Sequence, residues 1–126
     1  MTYQLTITQE ATFLHAVVTG RNEAATVARY LEELRRECLA RQCFRLLIEE
    51  RLEGPRLDTF PIYKIVSEGS ARGRGVLEAI AYVDLNAQGD LMAFAENVAV
   101  NRGLSVRVFS SVNAARAWLL SLPPPS

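Results

Sequence analysis

Phe44-Arg45-Leu46-Leu47-Ile48 runs directly into Glu49-Glu50-Arg51-Leu52-Glu53-Gly54-Pro55, and the reading of this stretch decides the fold. Its first half is apolar enough on both alternating faces to be an interior strand of a parallel sheet covered on both sides. Polarity then rises, and Gly54-Pro55 ends the element. Val76-Leu77-Glu78-Ala79-Ile80-Ala81-Tyr82-Val83-Asp84 is a second buried strand of the same kind. Leu104-Ser105-Val106-Arg107-Val108-Phe109 alternates, as an outer strand with one wetter face does. Helical patterns separate these three segments, so they are expected to lie parallel, joined by right-handed crossovers.

Upstream, Tyr3-Gln4-Leu5-Thr6-Ile7-Thr8 alternates strictly, and Gln9-Glu10-Ala11-Thr12 makes a polar break. Phe13-Leu14-His15-Ala16-Val17-Val18-Thr19 follows as a second strand stopped by Gly20, so the chain opens with a hairpin. Asn22 is the expected cap of an amphipathic helix ending near Arg41-Gln42. Val27, Tyr30, Leu31, Leu34 and Cys38 form its apolar stripe, with Glu32–Arg36 and Arg29–Glu33 at pairing distance on the wet side. A second helix is expected after Asp58 or Thr59, with Pro61 in its first turn, and a third within Asn86 to Arg102, stopped by Gly103. Ser110 or Ser111 caps a last helix, Val112 to Leu122, and Pro123-Pro124-Pro125 forbids its extension.

The expected order is β-β-α-β-α-β-α-β-α. This is an α/β fold with a mixed five-stranded sheet, an N-terminal antiparallel hairpin followed by parallel βαβ units, flanked by about four helices. Residues 1–122 read as a single domain and 123–126 as a Pro-rich disordered tail.

Composition narrows the function classes. The 126 residues carry 14 basic and 14 acidic side chains, for a net charge of zero. Nucleic-acid affinity is mostly phosphate neutralisation, so this balance argues against a general polyanion binder. No apolar run is long enough to span a bilayer, and the N-terminal residues lack the pattern of a secretory signal. Cys38 and Cys43 are not at zinc-ligand spacing and read as two reduced thiols. The expectation is a cytoplasmic protein without a metal or cofactor.

Val18-Thr19-Gly20 closing the hairpin, Leu46-Leu47-Ile48-Glu49-Glu50, and Arg107-Val108-Phe109 followed by Ala114-Ala115-Arg116-Ala117-Trp118-Leu119 together resemble the SpoIIAA-like branch of the STAS superfamily. The likeness spans nearly the whole chain and implies a STAS-like fold. The superfamily includes anti-sigma-factor antagonists, cytoplasmic domains of anion transporters and single-domain bacterial proteins without an assigned role. Antagonists carry a phosphorylatable Ser or Thr after the third strand. Here Glu49-Glu50-Arg51-Leu52-Glu53-Gly54-Pro55 offers no hydroxyl, so a kinase-controlled switch at that position is not implied.

In open α/β sheets, ligands bind outside the carboxyl ends of the parallel strands. That rule collects Glu49, Glu50 and Glu53, then Asp84 and Asn86, then Ser110 and Ser111. Glu50 shares a strand face with Phe44, Leu46 and Ile48, so it is expected to be partly buried with a raised pKa. Two readings stand side by side: Asp58, Asn86 and Ser111 are helix caps and the glutamates a solvated strand end, or Glu50 and Asp84, with Glu53 and Ser110, hold a cation or small polar ligand. His15 has no nucleophile beside it in sequence and reads as structural. Gly69…Gly73-Arg74-Gly75 precedes a strand and lacks the phosphate-loop Lys; Arg72 and Arg74 are solvated or grip a partner's carboxylates.

Phe60, Ile62 and Tyr63, and Met92 and Phe94, add apolar surface beyond one helix stripe and mark a groove or subunit interface. The expected function is a non-catalytic regulatory or protein-interaction module, self-associating through that apolar helix surface into a homo-oligomer such as a dimer. The alternative is a carrier or sensor of a small apolar or anionic, lipid-like ligand held between helices and sheet. An enzyme ranks third.

Overall fold

The computed structural model describes residues 3–54, 77–84 and 105–124. Within them, β1 (Tyr3–Gln9), β2 (Leu14–Arg21), β3 (Arg45–Glu53), β4 (Ala79–Asp84) and β5 (Val106–Phe109) form one sheet in chain order. β1 and β2 are antiparallel, and each step from β2 to β5 is parallel. The mixed sheet read from the sequence is therefore present. Two helices lie among the described residues, α1 (Ala24–Arg41) and α2 (Val112–Ser121), rather than about four. The helices expected after Asp58 and within Asn86 to Arg102 fall outside the described residues, as does the loop from Gly69 to Gly75.

Strand alternation sorts the core into two layers. Leu14, Ala16, Val18, Leu46, Ile48, Leu52 and Ile80 face α1 and pack on its Val27, Tyr30, Leu34 and Cys38. Leu47, Ala79, Ala81 and Val83 face the other way, with Phe13, onto Ala115 and Leu119 of α2. Burying each large aliphatic contributes about 1.5–3 kcal/mol, so both helices are held by their stripes. Trp118 is half-buried, its ring 5.7 Å from that of Phe109, and the Arg107 guanidinium lies 5.7 Å from one ring and 5.8 Å from the other.

Several boundaries differ from the sequence reading. β2 continues through Gly20, which takes φ 138, a value that glycine reaches without a Cβ clash. α1 is capped by Glu23 rather than Asn22, with no side-chain cap bond, and closes at left-handed Gln42, whose N–H donates to the Cys38 and Leu39 carbonyls. Of the charged pairs read on α1, Glu32–Arg36 forms at 3.5 Å, while Glu33 accepts the Tyr3 hydroxyl at 2.5 Å. β3 begins at Arg45, β4 at Ala79 and β5 at Val106, each later than read. Ser111 caps α2, accepting from the Ala114 N–H at 3.1 Å.

The largest difference is at the far end of β3. Glu49, Glu50, Arg51 and Glu53 are inside the strand, not beyond it, because β2 pairs with β3 as far as Arg21–Glu53. The strand ends directly before Gly54, where the sequence reading ended the element; the error was to set the glutamates after the strand. Polar side chains extend a buried strand when neighbouring elements satisfy them, and here they do.

Candidate functional site

On the α1 side of the sheet, Glu50 is 5 % exposed. A carboxylate so deep in apolar surroundings is costly unless hydrogen bonds replace its water. Tyr30, two helical turns into α1 and itself fully buried, donates its hydroxyl to Glu50 Oε2. Tyr82 of β4 donates to the same oxygen, and the two phenol oxygens are 3.1 Å apart. One helix and two strands thus meet at a single carboxylate oxygen. Burial first, then the Glu50 charge, pushes the Tyr30 phenol well above its ordinary 10.0, so it remains a donor throughout the neutral range.

On the opposite face lies a second polar assembly. His15 Nε2 is 3.1 Å from Glu49 Oε1, and Glu49 is 5 % exposed. Arg51 donates to the other Glu49 oxygen. Arg116 of α2 reaches His15 Nδ1 at 3.4 Å and Glu10 Oε1 at 2.7 Å, and its guanidinium lies 5.6 Å from the Phe13 ring. A guanidinium can only donate. Nδ1 is therefore the acceptor, and the proton sits on Nε2, directed at Glu49. The sequence of groups from Glu10 through Arg116, His15 and Glu49 to Arg51 alternates acceptor and donor from the hairpin turn to the end of β3.

A third pair lies at the opposite end of β3. Arg45, 3 % exposed, donates to Glu78 Oε1 at 2.6 Å and to the Pro123 carbonyl at 2.5 Å, tying the start of β3 to the approach to β4 and to the residues after α2.

Of the residues singled out from sequence, Glu50 is buried as expected, and Asp84 is its register partner on β4. Glu53 is exposed at the end of β3, on the alternation of Glu49 rather than Glu50, and its carbonyl accepts the Asn22 N–H at 2.7 Å. Ser110 is exposed immediately after β5. Phe60, Ile62, Tyr63, Met92 and Phe94 lie outside the described residues. Sequence reasoning missed Tyr30 and Tyr82 as partners of Glu50, having read Tyr30 only as part of the apolar stripe of α1 and Tyr82 only as part of a buried strand. It also missed the His15 assembly, whose members come from the hairpin, β3 and α2, the last about 100 residues away from His15 in sequence. A usable sign was there: Glu49 shares a strand face with Leu47, and so must be satisfied from the α2 side.

Among the described residues no group of three or more His, Cys, Asp or Glu is placed to hold a metal ion, and no helix is long and apolar enough to cross a membrane. Cys38 and Cys43 are free thiols, Cys38 fully buried. No protein-family model matches the chain, and no curated protein matches it.

Proposed function

We propose that this chain is a non-catalytic regulatory or protein-interaction module of the STAS-like type, acting in the cytoplasm. The observation that carries the reading is the engagement of its reactive side chains with one another. Glu50 is gripped by two phenols, and both ring nitrogens of His15 are occupied, by Arg116 and by Glu49. A general base or nucleophile needs a lone pair within reach of substrate; these groups direct theirs into the fold. The STAS-like part of the proposal rests on the resemblance drawn from sequence, set beside a mixed five-stranded sheet with an opening hairpin and a closing strand and helix. The absence of a hydroxyl residue from Glu49 to Pro55 removes the phosphorylation switch from the proposal, leaving contact surfaces as the means of action.

A second reading has one observation in its favour. Tyr82 is only partly buried, and with Glu50 it lies just below the carboxyl end of β4, where α/β sheets bind ligands. A small polar or anionic molecule, or an amphipathic one with an apolar tail, would find hydroxyl groups there.

Native mass spectrometry of freshly purified protein, with a screen against activated esters and phosphate esters, separates these readings. The module reading expects chains without a retained small molecule and no turnover. A stoichiometric adduct lost in Tyr82→Phe would favour the carrier. Turnover abolished by Glu50→Gln or His15→Ala would overturn both.

A further inference from the structure

We propose that the outer edge of β1 pairs with β1 of a second copy of this chain, antiparallel and centred on Thr6, to make a continuous sheet across a two-fold axis. The proposal gives the interaction reading a partner and a contact, and it rests on that reading.

The hydrogen-bond phase of the hairpin sets up the edge. The Glu10 N–H donates to the Phe13 carbonyl at 2.9 Å, which makes those residues a hydrogen-bonded pair closing the turn. Paired residues in an antiparallel ladder alternate between bonded and non-bonded. With Thr8 opposite His15, Thr6 opposite Val17 and Gln4 opposite Thr19, the main-chain groups of Thr8, Thr6 and Gln4 are directed to β2. Those of Tyr3, Leu5, Ile7 and Gln9 are directed to the other side. That side is the end of the sheet, where β1 has no further strand among the described residues.

Natural edge strands are commonly protected by charge, proline, a bulge or shortness. β1 has none of these. Tyr3-Gln4-Leu5-Thr6-Ile7-Thr8-Gln9 contains no charged residue and no proline, is seven residues long, and keeps an unbroken register with β2.

A second copy is the occupant that fits. In the register centred on Thr6, Leu5 faces Ile7 of the other copy and Tyr3 faces Gln9, all four having outward main-chain groups. Those pairs make about eight main-chain hydrogen bonds, two for each pair. Any other symmetric register that joins outward groups overlaps less of the strand. Leu5 and Ile7, half-buried on the α1 side, then cover one another, a favourable cross-strand combination. On the far face, exposed Thr6 meets Thr6, and Gln4 meets Thr8, with no like charges opposed.

Sedimentation velocity and cross-linking test the dimer. Wild-type protein is expected to show a concentration-dependent dimer across the micromolar range, and Thr6→Lys to be monomeric with unchanged far-UV circular dichroism, since Thr6 is exposed and the two ammonium groups would face each other. Thr6→Cys, in a Cys43→Ser background, is expected to form a disulfide dimer under mild oxidation, because non-bonded antiparallel partners lie about 4.5 Å apart at Cα. Thr8→Cys, whose partner is Gln4, is expected to cross-link poorly. A monomeric wild type, or a dimer untouched by Thr6→Lys with no Thr6→Cys cross-link, would overturn the proposal. Neither result would touch the reading of the polar assemblies as internal, which the ester and phosphate screen decides. Should Thr6→Lys fail to fold, the two cysteine variants decide the matter: a cross-link at Thr6→Cys supports the pairing, and its absence overturns it.

Discussion

The Tyr82 hydroxyl reaches the Glu50 carboxylate diagonally across two strands: Tyr82 is the register partner of Ile48, one same-face position before Glu50. With Tyr30 on the same oxygen, the pair links β3, β4 and α1 at one buried charge. This arrangement converts an expensive carboxylate into a pin between layers, and it makes the three side chains interdependent.

Removing either phenol hydroxyl should therefore cost stability. Tyr30→Phe is expected to lower the unfolding free energy by about 1.5–3 kcal/mol, the range for a hydrogen bond to a charged group, and Tyr82→Phe by somewhat less because Tyr82 is only partly buried. The double variant should differ from the sum of the two by more than the roughly 0.5 kcal/mol within which independent sites add. Urea unfolding of the four proteins checks this; additive losses would separate the two hydroxyls.

Alkaline pH should weaken the fold from a defined point. Tyr30 is raised well above 10.0 by burial and by the Glu50 charge, and Tyr3 is pushed up to about 12 by burial and by its bond to Glu33. A raised phenol binds its proton more tightly when folded. Its stabilisation is complete below the unfolded value near 10 and is lost as pH rises through the folded one. Unfolding free energy should fall above about pH 10, and less steeply in Tyr30→Phe. Titration of tyrosine absorbance at constant fold, with all four tyrosines ionising together near 10.0, would contradict this.

The two cysteines should differ in reactivity. Cys38 is fully buried, and its thiol is pushed up to about 12 chiefly by that burial, whereas Cys43 is partly exposed. The thiolate is the nucleophile. Native protein treated with iodoacetamide near neutral pH is expected to take one adduct, at Cys43, and the second only after denaturation. Equal labelling by peptide mass spectrometry would count against the buried position of Cys38.

Arg116 should govern the tautomer of His15. Long-range nitrogen–proton NMR correlation at neutral pH is expected to show a bare Nδ1 and a protonated Nε2, as donation from Arg116 to Nδ1 requires. Arg116→Met should release that preference and cost about 1 kcal/mol, since the Arg116–Glu10 pair is part-exposed and partly screened. A proton on Nδ1 in the wild type would refute the relay.

Legibility followed the range of the forces. The β1–β2 hairpin, α1, α2 and the parallel order came through in the sequence because each rests on local periodicity or on the handedness of crossovers. The stop of β3 before Gly54 came through as well, but its passage through Glu49, Glu50 and Glu53 did not. Its length is set by β2 pairing as far as Glu53, and by phenols and an imidazole supplied from elements 20 to 34 residues away. Glu50 was legible as half a site through its shared face with Leu46 and Ile48; its partners were hidden because Tyr30 reads as one more residue of the apolar stripe of α1 and Tyr82 sits in an apolar strand. His15 looked solitary because its partners are distant in sequence: Glu49 comes near through the pairing of β2 with β3, and Arg116 when α2 folds onto the sheet.

Native mass spectrometry of the wild type beside Thr6→Lys addresses the central claim most directly, because it counts subunits and retained molecules at once. A chain that acts through contact, with its polar groups engaged internally, should appear as a pair of polypeptides with no adduct, and the lysine variant as single chains. A single wild-type chain carrying a stoichiometric small molecule would contradict the account.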